Sequence, residues 1–213
     1  MDKTINRIKE NKIIAIIRGI NQDKIVRTAE ALYAGGIFLV EVTFNQSSPN
    51  GNQETYEAIK AISVNLGDKI CVGAGTVMTV EQVELAVKAG AKYIISPNFD
   101  KEIVAKTLEL GVVSIPGVIT PSEITDAYKA GASFVKIFPA SNFGPDYIKS
   151  IKSPISHIPM LAVGGIDLNN LKEYMDTGID GVGLGSSLVN KKIVNEGRFN
   201  ELTELAKKFV LQL

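Results

Sequence analysis

Eight short apolar runs divide this chain of 213 residues, and amphipathic stretches separate them. Each run is rich in β-branched or aliphatic residues, which is typical of strands covered on both faces. The stretches between the runs carry apolar residues at helical spacing, and several end at a glycine, as helices often do. The runs occupy residues 13–17, 38–42, 70–73, 93–95, 112–115, 134–138, 159–163 and 181–184.

This alternation predicts a parallel sheet with its connecting helices packed outside it. A count of eight strands favours closure of the sheet over an open, doubly wound arrangement, and 213 residues lie near the lower size limit of such a barrel. No linker-like segment interrupts the repeat. The sequence therefore predicts an α/β protein, a single (β/α)₈ TIM barrel spanning residues 1–213.

Composition favours a small-molecule partner. The 23 basic and 23 acidic residues give a formal net charge of zero, so no overall field attracts nucleic acid or an anionic membrane. No apolar run approaches the length of a membrane span, and residues 1–12 lack the apolar core of a secretory signal. We expect a cytoplasmic protein. The single cysteine, Cys71, lies in an apolar run and is expected to be a small buried hydrophobe.

Lys136 is a cation inside an apolar run, in FVKIF. The two-residue period of a strand places Phe134, Lys136 and Phe138 on one face. If that face points into the barrel, burial lowers the pKa of the ammonium, and a partly neutral lysine can attack a carbonyl carbon to form an iminium ion. The alternative is a lysine whose stem packs at the rim while its ammonium reaches solvent.

Glu41 is a second charge in an apolar run, and it shares a strand face with Leu39 and Thr43. One interpretation is a structural ion pair with a buried cation, which would add little stability. The other is proton transfer during Schiff-base chemistry. The only histidine, His157, lies in a loop-like segment, so a carboxylate is the available proton carrier and a zinc cluster is not expected. We expect no metal and no cofactor.

Glycine-rich segments follow the seventh and eighth predicted strands, as VGGI at residues 163–166 and GLGSS at residues 183–187. TIM barrels often bind phosphate with the backbone N–H groups of these two loops. Glycine is common in tight turns, so either segment alone is a weak signal. Their occurrence on neighbouring strands predicts a phosphate site.

Eight blocks of sequence carry a resemblance to a known family. They are IIAIIRG, GGIFLVEVTF, VGAGTV, YIISPNF, IPGVITPSE, FVKIFPA, VGGI and GLGSSLV, and they span nearly the whole chain. In this order and spacing the chain is similar to the 2-keto-3-deoxy-6-phosphogluconate (KDPG) aldolase family, which includes the 4-hydroxy-2-oxoglutarate (KHG) aldolases. The resemblance implies a homotrimeric class I lyase that cleaves a 2-keto-4-hydroxy acid to pyruvate and an aldehyde.

The resemblance also implies roles for individual residues. Lys136 corresponds to the Schiff-base lysine and Glu41 to the general acid and base. Thr76, Pro97 and Phe138 would line the pyruvate pocket, with Thr76 reaching the substrate carboxylate. The remaining substrate-binding positions are Thr43 beside the catalytic strand end and Gly164, Gly165, Gly185 and Ser186 at the phosphate end.

Two positions depart from the family pattern. Asn45 stands where some members carry an arginine that contacts the carboxylate. Arg18 could replace that contact, because its guanidinium can pair bidentately with a carboxylate; an ordinary rim residue paired with a nearby acid is the equal alternative. Val163 stands where a threonine often precedes the glycine pair, which removes one hydroxyl donor from the phosphate site.

The resulting hypothesis is an aldolase acting on KDPG, giving pyruvate and glyceraldehyde 3-phosphate, on KHG, giving pyruvate and glyoxylate, or on both. A phosphosugar isomerase or epimerase on the same barrel would share the glycine-rich loops but would not need Lys136. A non-catalytic sensor of a phosphorylated ligand is the more distant alternative.

Overall fold

The computed structural model describes residues 1–213 and alternates strands with helices along the chain. The strands are β1 (Ile13–Ile17), β2 (Leu39–Thr43), β3 (Cys71–Gly75), β4 (Tyr93–Ile95), β5 (Val113–Ile115), β6 (Gly117–Val118), β7 (Val135–Ile137), β8 (Met160–Val163) and β9 (Gly181–Leu184). The helices are α1 (Asp2–Asn11), α2 (Gln22–Ala34), α3 (Gly51–Leu66), α4 (Val80–Ala89), α5 (Lys101–Glu109), α6 (Pro121–Lys129), α7 (Gly144–Lys152), α8 (Leu171–Met175), α9 (Lys191–Asn195) and α10 (Phe199–Val210), with a 3₁₀ turn at Ala140–Asn142. None of these helices has the length and apolar character that crossing a membrane requires.

All strands are parallel, in the order β5-β4-β3-β2-β1-β9-β8-β7-β6. The two ends of this order meet, because β5 and β6 are one strand interrupted at Pro116. The carbonyl of Ser114 accepts hydrogen bonds from the N–H groups of Ser133 and Phe134, and the carbonyl of Pro116 accepts one from Lys136 at 2.8 Å. The predicted eight-stranded TIM barrel is thus confirmed.

The break in the fifth strand was not predicted. Proline has no N–H to donate to a sheet, so ladder bonding is interrupted at Pro116. The other differences are at strand ends: β2 continues to Thr43 and β3 to Gly75, each beyond the predicted apolar run. Each of the eight predicted runs contains a strand.

Two apolar layers hold the barrel together. The larger one lies between the strands and the surrounding helices and contains 51 buried residues. The smaller one contains 10 buried residues and fills the inside of the barrel, where Ile8 of α1 packs among inward-facing strand residues. Cys71 belongs to this inner cluster and is buried, as expected. The inner cluster fills the lower barrel and leaves the carboxyl ends of the strands for polar side chains.

Gly73 makes room for the largest inner residue. A Cβ at this position would collide with the ring of Tyr93, which is fully buried and donates a hydrogen bond from its hydroxyl to the Val40 carbonyl at 2.6 Å. We expect Gly73→Ala to lower the free energy of unfolding by about 1–3 kcal/mol through overpacking. Urea denaturation measures this change.

The control for this prediction is a double-mutant cycle with Tyr93→Leu. Removing the ring relieves the collision, so the double variant should lose less stability than the sum of the two single variants. Additive losses would show that the Gly73→Ala effect does not arise from contact with Tyr93.

Candidate active site

A cleft of about 740 Å³ opens at the carboxyl ends of the strands. It is bordered by β1, β2, β7, β8 and β9 and by the loops that follow the last two. The location is the one at which TIM barrels place their chemistry. The sequence-predicted residues that line it are Arg18, Glu41, Lys136, Phe138, Gly164, Gly165, Gly185 and Ser186.

Lys136 occupies the middle of β7 and points into the barrel, with only 5% of its surface exposed. Its Nζ lies 4.4 Å from the centre of the Phe138 ring, a distance at which the ring stabilises a cation. Lys136 forms no salt bridge with a carboxylate, and its Nζ faces the cleft. Burial lowers the pKa of Lys136; the Glu41 charge opposes this effect and the Arg18 charge adds to it.

Glu41 points inward from β2 and is 2% exposed. The neighbouring strand β3 makes space for it, since a Cβ at Gly75 would overlap the Glu41 carboxyl group. Burial raises the pKa of Glu41, while the positive charges of Lys136 and Arg18 act in the opposite direction. The site therefore holds an amine and a carboxyl group that burial shifts towards their neutral forms.

Arg18 follows β1 and donates a hydrogen bond from its guanidinium to the hydroxyl of Thr76 at 3.1 Å. Thr76 is held in an unusual conformation, with φ at 55°. That region is costly for a β-branched residue, by about 1–3 kcal/mol. The Gln46 side chain supports the turn by donating to the Thr76 carbonyl at 2.7 Å. The strained turn places the Thr76 hydroxyl beside the arginine at the edge of the cleft.

Three predicted residues are not part of the wall of this cleft: Thr76, which meets it only through its hydrogen bond with Arg18, and Thr43 and Pro97, which lie farther away. Thr43 lines a separate cavity of about 400 Å³, together with Asn45 and residues of α2 and α3. Pro97 follows β4, and its carbonyl lies against Gly117 of β6, where a Cβ would collide with it. The structure thus brings Arg18 and Thr76 together with Glu41 but does not bring Thr43 or Pro97 to the same surface.

The glycine-rich end of the cleft presents backbone donors. Gly164 and Gly165 have φ values of 99° and 73°, which favour glycine. The carbonyl of Gly165 accepts a hydrogen bond from the Asn170 side chain, which anchors the loop. The N–H groups of Gly165, Ser186 and Ser187 donate to no acceptor within the protein. These N–H groups therefore remain free for an anion.

Sequence reasoning missed three polar residues that line the cleft: Asp167, Asn190 and Lys191. They lie in the loops after β8 and β9, beyond the glycine motifs, and no periodic pattern marks them. Their proximity to the two motifs is the only signal in the sequence. The histidine lies elsewhere: His157 packs edge-to-face on Tyr128 of α6, with ring centres 5.6 Å apart. No group of three or more His, Cys, Asp or Glu side chains is arranged to hold a metal ion.

Comparison with known proteins gives a family match across most of the chain. The model of the family described as "Aldolase: KDPG and KHG aldolase" matches residues 4–205. The chain belongs to this family. It is accordingly a carbon–carbon lyase, a class I aldolase, which sets aside the isomerase, epimerase and sensor alternatives.

Individual relatives of the aldolase support the same family assignment. The chain is 40% identical over 177 residues to the 2-dehydro-3-deoxy-6-phosphogalactonate aldolase of Escherichia coli, covering 83% of each chain. It is 32% identical to the 2-dehydro-3-deoxy-phosphogluconate aldolase of Haemophilus influenzae over 97% of this chain and 94% of that one. A solved KDPG aldolase from Legionella pneumophila, with pyruvate captured as a covalent carbinolamine, matches with a TM-score of 0.83 and 30% identity over 92% of this chain and 93% of that one.

The opposite effects of Glu41 and Arg18 on the pKa of Lys136 can be measured. Glu41 raises the pKa of Lys136 and Arg18 lowers it. We therefore expect Glu41→Gln to lower the pH at which Lys136 becomes reactive and Arg18→Met to raise it, since only the neutral amine is nucleophilic. Competitive acetylation across a pH series, followed by mass spectrometry of the peptides, gives this midpoint.

Exposed Lys129 at the end of α6 is an internal reference in the same digests, and neither substitution should change its reactivity. Shifts of the same sign in the two variants, or no shift in either, would contradict the electrostatic account of Lys136.

Proposed function

We propose that Lys136 is the Schiff-base nucleophile of this aldolase and that its substrate is a six-carbon 2-keto-3-deoxy acid phosphorylated at C6. The observation that carries the proposal is an inward-facing lysine, 5% exposed, whose Nζ has no carboxylate partner and opens onto the cleft. A structural ion pair would instead bring the lysine into direct contact with Glu41. The rim alternative does not fit a lysine so deeply buried.

The reaction begins when the neutral amine of Lys136 attacks the C2 carbonyl carbon. The carbinolamine loses water to give an iminium ion, with Glu41 carrying the protons between the oxygen and the amine. Both groups are suited to this exchange, because burial lowers the pKa of Lys136 and raises that of Glu41.

Carbon–carbon cleavage follows when the Glu41 carboxylate accepts the proton of the C4 hydroxyl. The C3–C4 bond breaks, its electron pair moves to C3 and is delocalised onto the iminium nitrogen, and the aldehyde leaves. The enamine is then protonated at C3, and hydrolysis of the resulting iminium releases pyruvate and restores the lysine.

The two ends of the cleft fit the two ends of this substrate. Arg18, oriented by Thr76, supplies a charged donor for the C1 carboxylate, and Phe138 forms the apolar wall beside the carbonyl. The free N–H groups of Gly165, Ser186 and Ser187 suit the phosphate, with Gly164 and Gly185 allowing the backbone to approach it.

A phosphorylated substrate is supported over KHG because a C6 phosphate offers three terminal oxygens to these three N–H groups, whereas KHG ends in a carboxylate attached directly to C4, with two oxygens and a shorter reach. The names of the two relatives specify gluconate and galactonate forms of the phosphorylated acid. Each form would release glyceraldehyde 3-phosphate as the second product. By resemblance to the family we also propose that the chain works as a homotrimer in the cytoplasm on a small molecule, without nucleic acid, membrane or cofactor.

The decisive experiment for Lys136 is trapping of the iminium. Incubation with pyruvate and sodium borohydride should add one reduced pyruvyl group to the protein, detected by mass spectrometry and located on the Lys136 peptide. Lys136→Ala should abolish the adduct, whereas Lys129→Ala, which removes an exposed lysine on α6, should leave it intact. An adduct that survives Lys136→Ala would overturn the assignment.

Measurements of turnover can distinguish the role of Glu41 from that of Lys136. We expect Glu41→Gln to lower kcat for cleavage by about 10²–10⁴-fold, as for loss of a general acid–base group, while pyruvate can still be trapped on Lys136. A coupled assay of pyruvate release gives kcat. Unchanged turnover in this variant would contradict proton transfer by Glu41.

A further inference from the structure

Lys191 is a cation that lines the cleft and has no role in the proposed mechanism. It is the first residue of α9, where the Asn190 side chain accepts hydrogen bonds from the N–H groups of Lys192 and Ile193. Its side chain extends to the loop after β1, where Nζ lies 2.7 Å from the position that a Cβ would take at Gly19. Because Gly19 has no side chain, the ammonium can lie close to that backbone.

The ammonium of Lys191 has no partner within the protein. It forms neither a salt bridge nor a hydrogen bond, whereas Lys152, a half-buried lysine elsewhere, pairs with Asp180 at 3.0 Å. Three cations line the cleft, Arg18, Lys136 and Lys191, against two carboxylates, Glu41 and Asp167. A chain with zero net charge thus has an excess of positive charge at this opening.

The other charged groups of the cleft are already engaged. Arg18 bonds to Thr76, and Lys136 is the proposed nucleophile. Asp167 accepts a hydrogen bond from the Asn169 N–H at 2.7 Å within its own loop. Lys191 follows the loop of Ser186 and Ser187 and lines the same cleft, while its Nζ lies beside the neighbouring loop after β1. Because no partner holds the ammonium, the flexible side chain can turn from there towards the glycine-rich end.

We infer that Lys191 is a specificity-determining residue that binds the phosphate of the substrate together with the N–H groups of the two glycine-rich loops. The inference rests on the proposed function, since it needs a phosphorylated substrate. Lysine provides a mobile point charge for phosphate. It would compensate for Val163, which offers no hydroxyl donor at the same end of the cleft.

The test compares two substrates that differ only in the phosphate: KDPG and unphosphorylated 2-keto-3-deoxygluconate. The quantity measured is the ratio of kcat/KM for the first to kcat/KM for the second. Removing one charged donor should lower this ratio by about tenfold in Lys191→Gln, through KM for KDPG. Lys191→Arg retains the charge and should recover most of the ratio.

Lys192→Gln is the matched control, because Lys192 is the next residue of α9, is exposed and does not line the cleft. It should leave the ratio at the value of the unsubstituted protein. A ratio that falls equally in Lys191→Gln and Lys192→Gln would show a general effect of charge and overturn a specific role for Lys191.

The remaining outcomes separate this inference from the proposed function. If the unsubstituted protein prefers KDPG and Lys191→Gln keeps the full preference, the assignment of Lys191 alone is overturned. If the unsubstituted protein shows no preference for KDPG, the phosphorylated substrate and the role of Lys191 are both overturned. Pyruvate trapping on Lys136 would still stand in either case.

Discussion

Burial of the Lys136 ammonium inside a closed sheet is the constraint on which the rest of the site depends. An ionised amine removed from water is strongly destabilised unless other groups compensate it. Here the compensation is partial: the Phe138 ring lies 4.4 Å from Nζ, and Glu41 acts through its charge without a salt bridge. Direct pairing would hold both groups in their charged forms. Separation leaves burial as the largest influence on both pKa values, and this suits the amine to the proposed role of nucleophile and the carboxyl group to that of proton carrier.

The barrel can tolerate these charges because they are confined to one end of its interior. Below them the inner cluster is apolar, and Tyr93 and Phe134 are fully buried within it. Two glycines of β3 make room for large side chains inside the barrel: Tyr93 fills the space at Gly73, and Glu41 fills the space at Gly75. The same strand therefore accommodates both the inner apolar cluster and the Glu41 carboxyl group. Packing stability and the geometry of the site both depend on these two glycines.

Much of this arrangement could be predicted from periodicity. The apolar runs located every strand except the short β6, which continues the fifth strand beyond Pro116. Alternation placed Lys136 on one face with Phe134 and Phe138, and closure of the barrel makes that face the inner one. Loop geometry could not be predicted in this way. Alternation also put Thr43 on the face of Glu41, and Thr43 does keep the register of β2 opposite Gly75; it nevertheless belongs to the wall of the other cavity, which alternation could not indicate.

Other features depend on local backbone geometry or on side-chain length. The positive φ of Thr76 has no marker in sequence, since threonine is a poor residue for that conformation. The break at Pro116 follows from a single missing donor, and the apolar pattern continues on both sides of it. Lys191 reaches the neighbouring loop after β1 only because its side chain is long enough to extend to Gly19.

The two ends of the cleft respond differently to substitution. At the end that contains Arg18, Glu41 and Lys136, charge couples the side chains: Lys136 and Arg18 influence the pKa of Glu41, and Glu41 and Arg18 influence that of Lys136. At the glycine-rich end, most donors are backbone N–H groups, which a side-chain substitution does not remove. Val163 in place of a hydroxyl-bearing residue therefore leaves the N–H donors of Gly165 and Ser186 intact. Under the proposed function, such a division allows the chemistry to remain constant while the loops after β8 and β9 adjust which aldehyde is accepted.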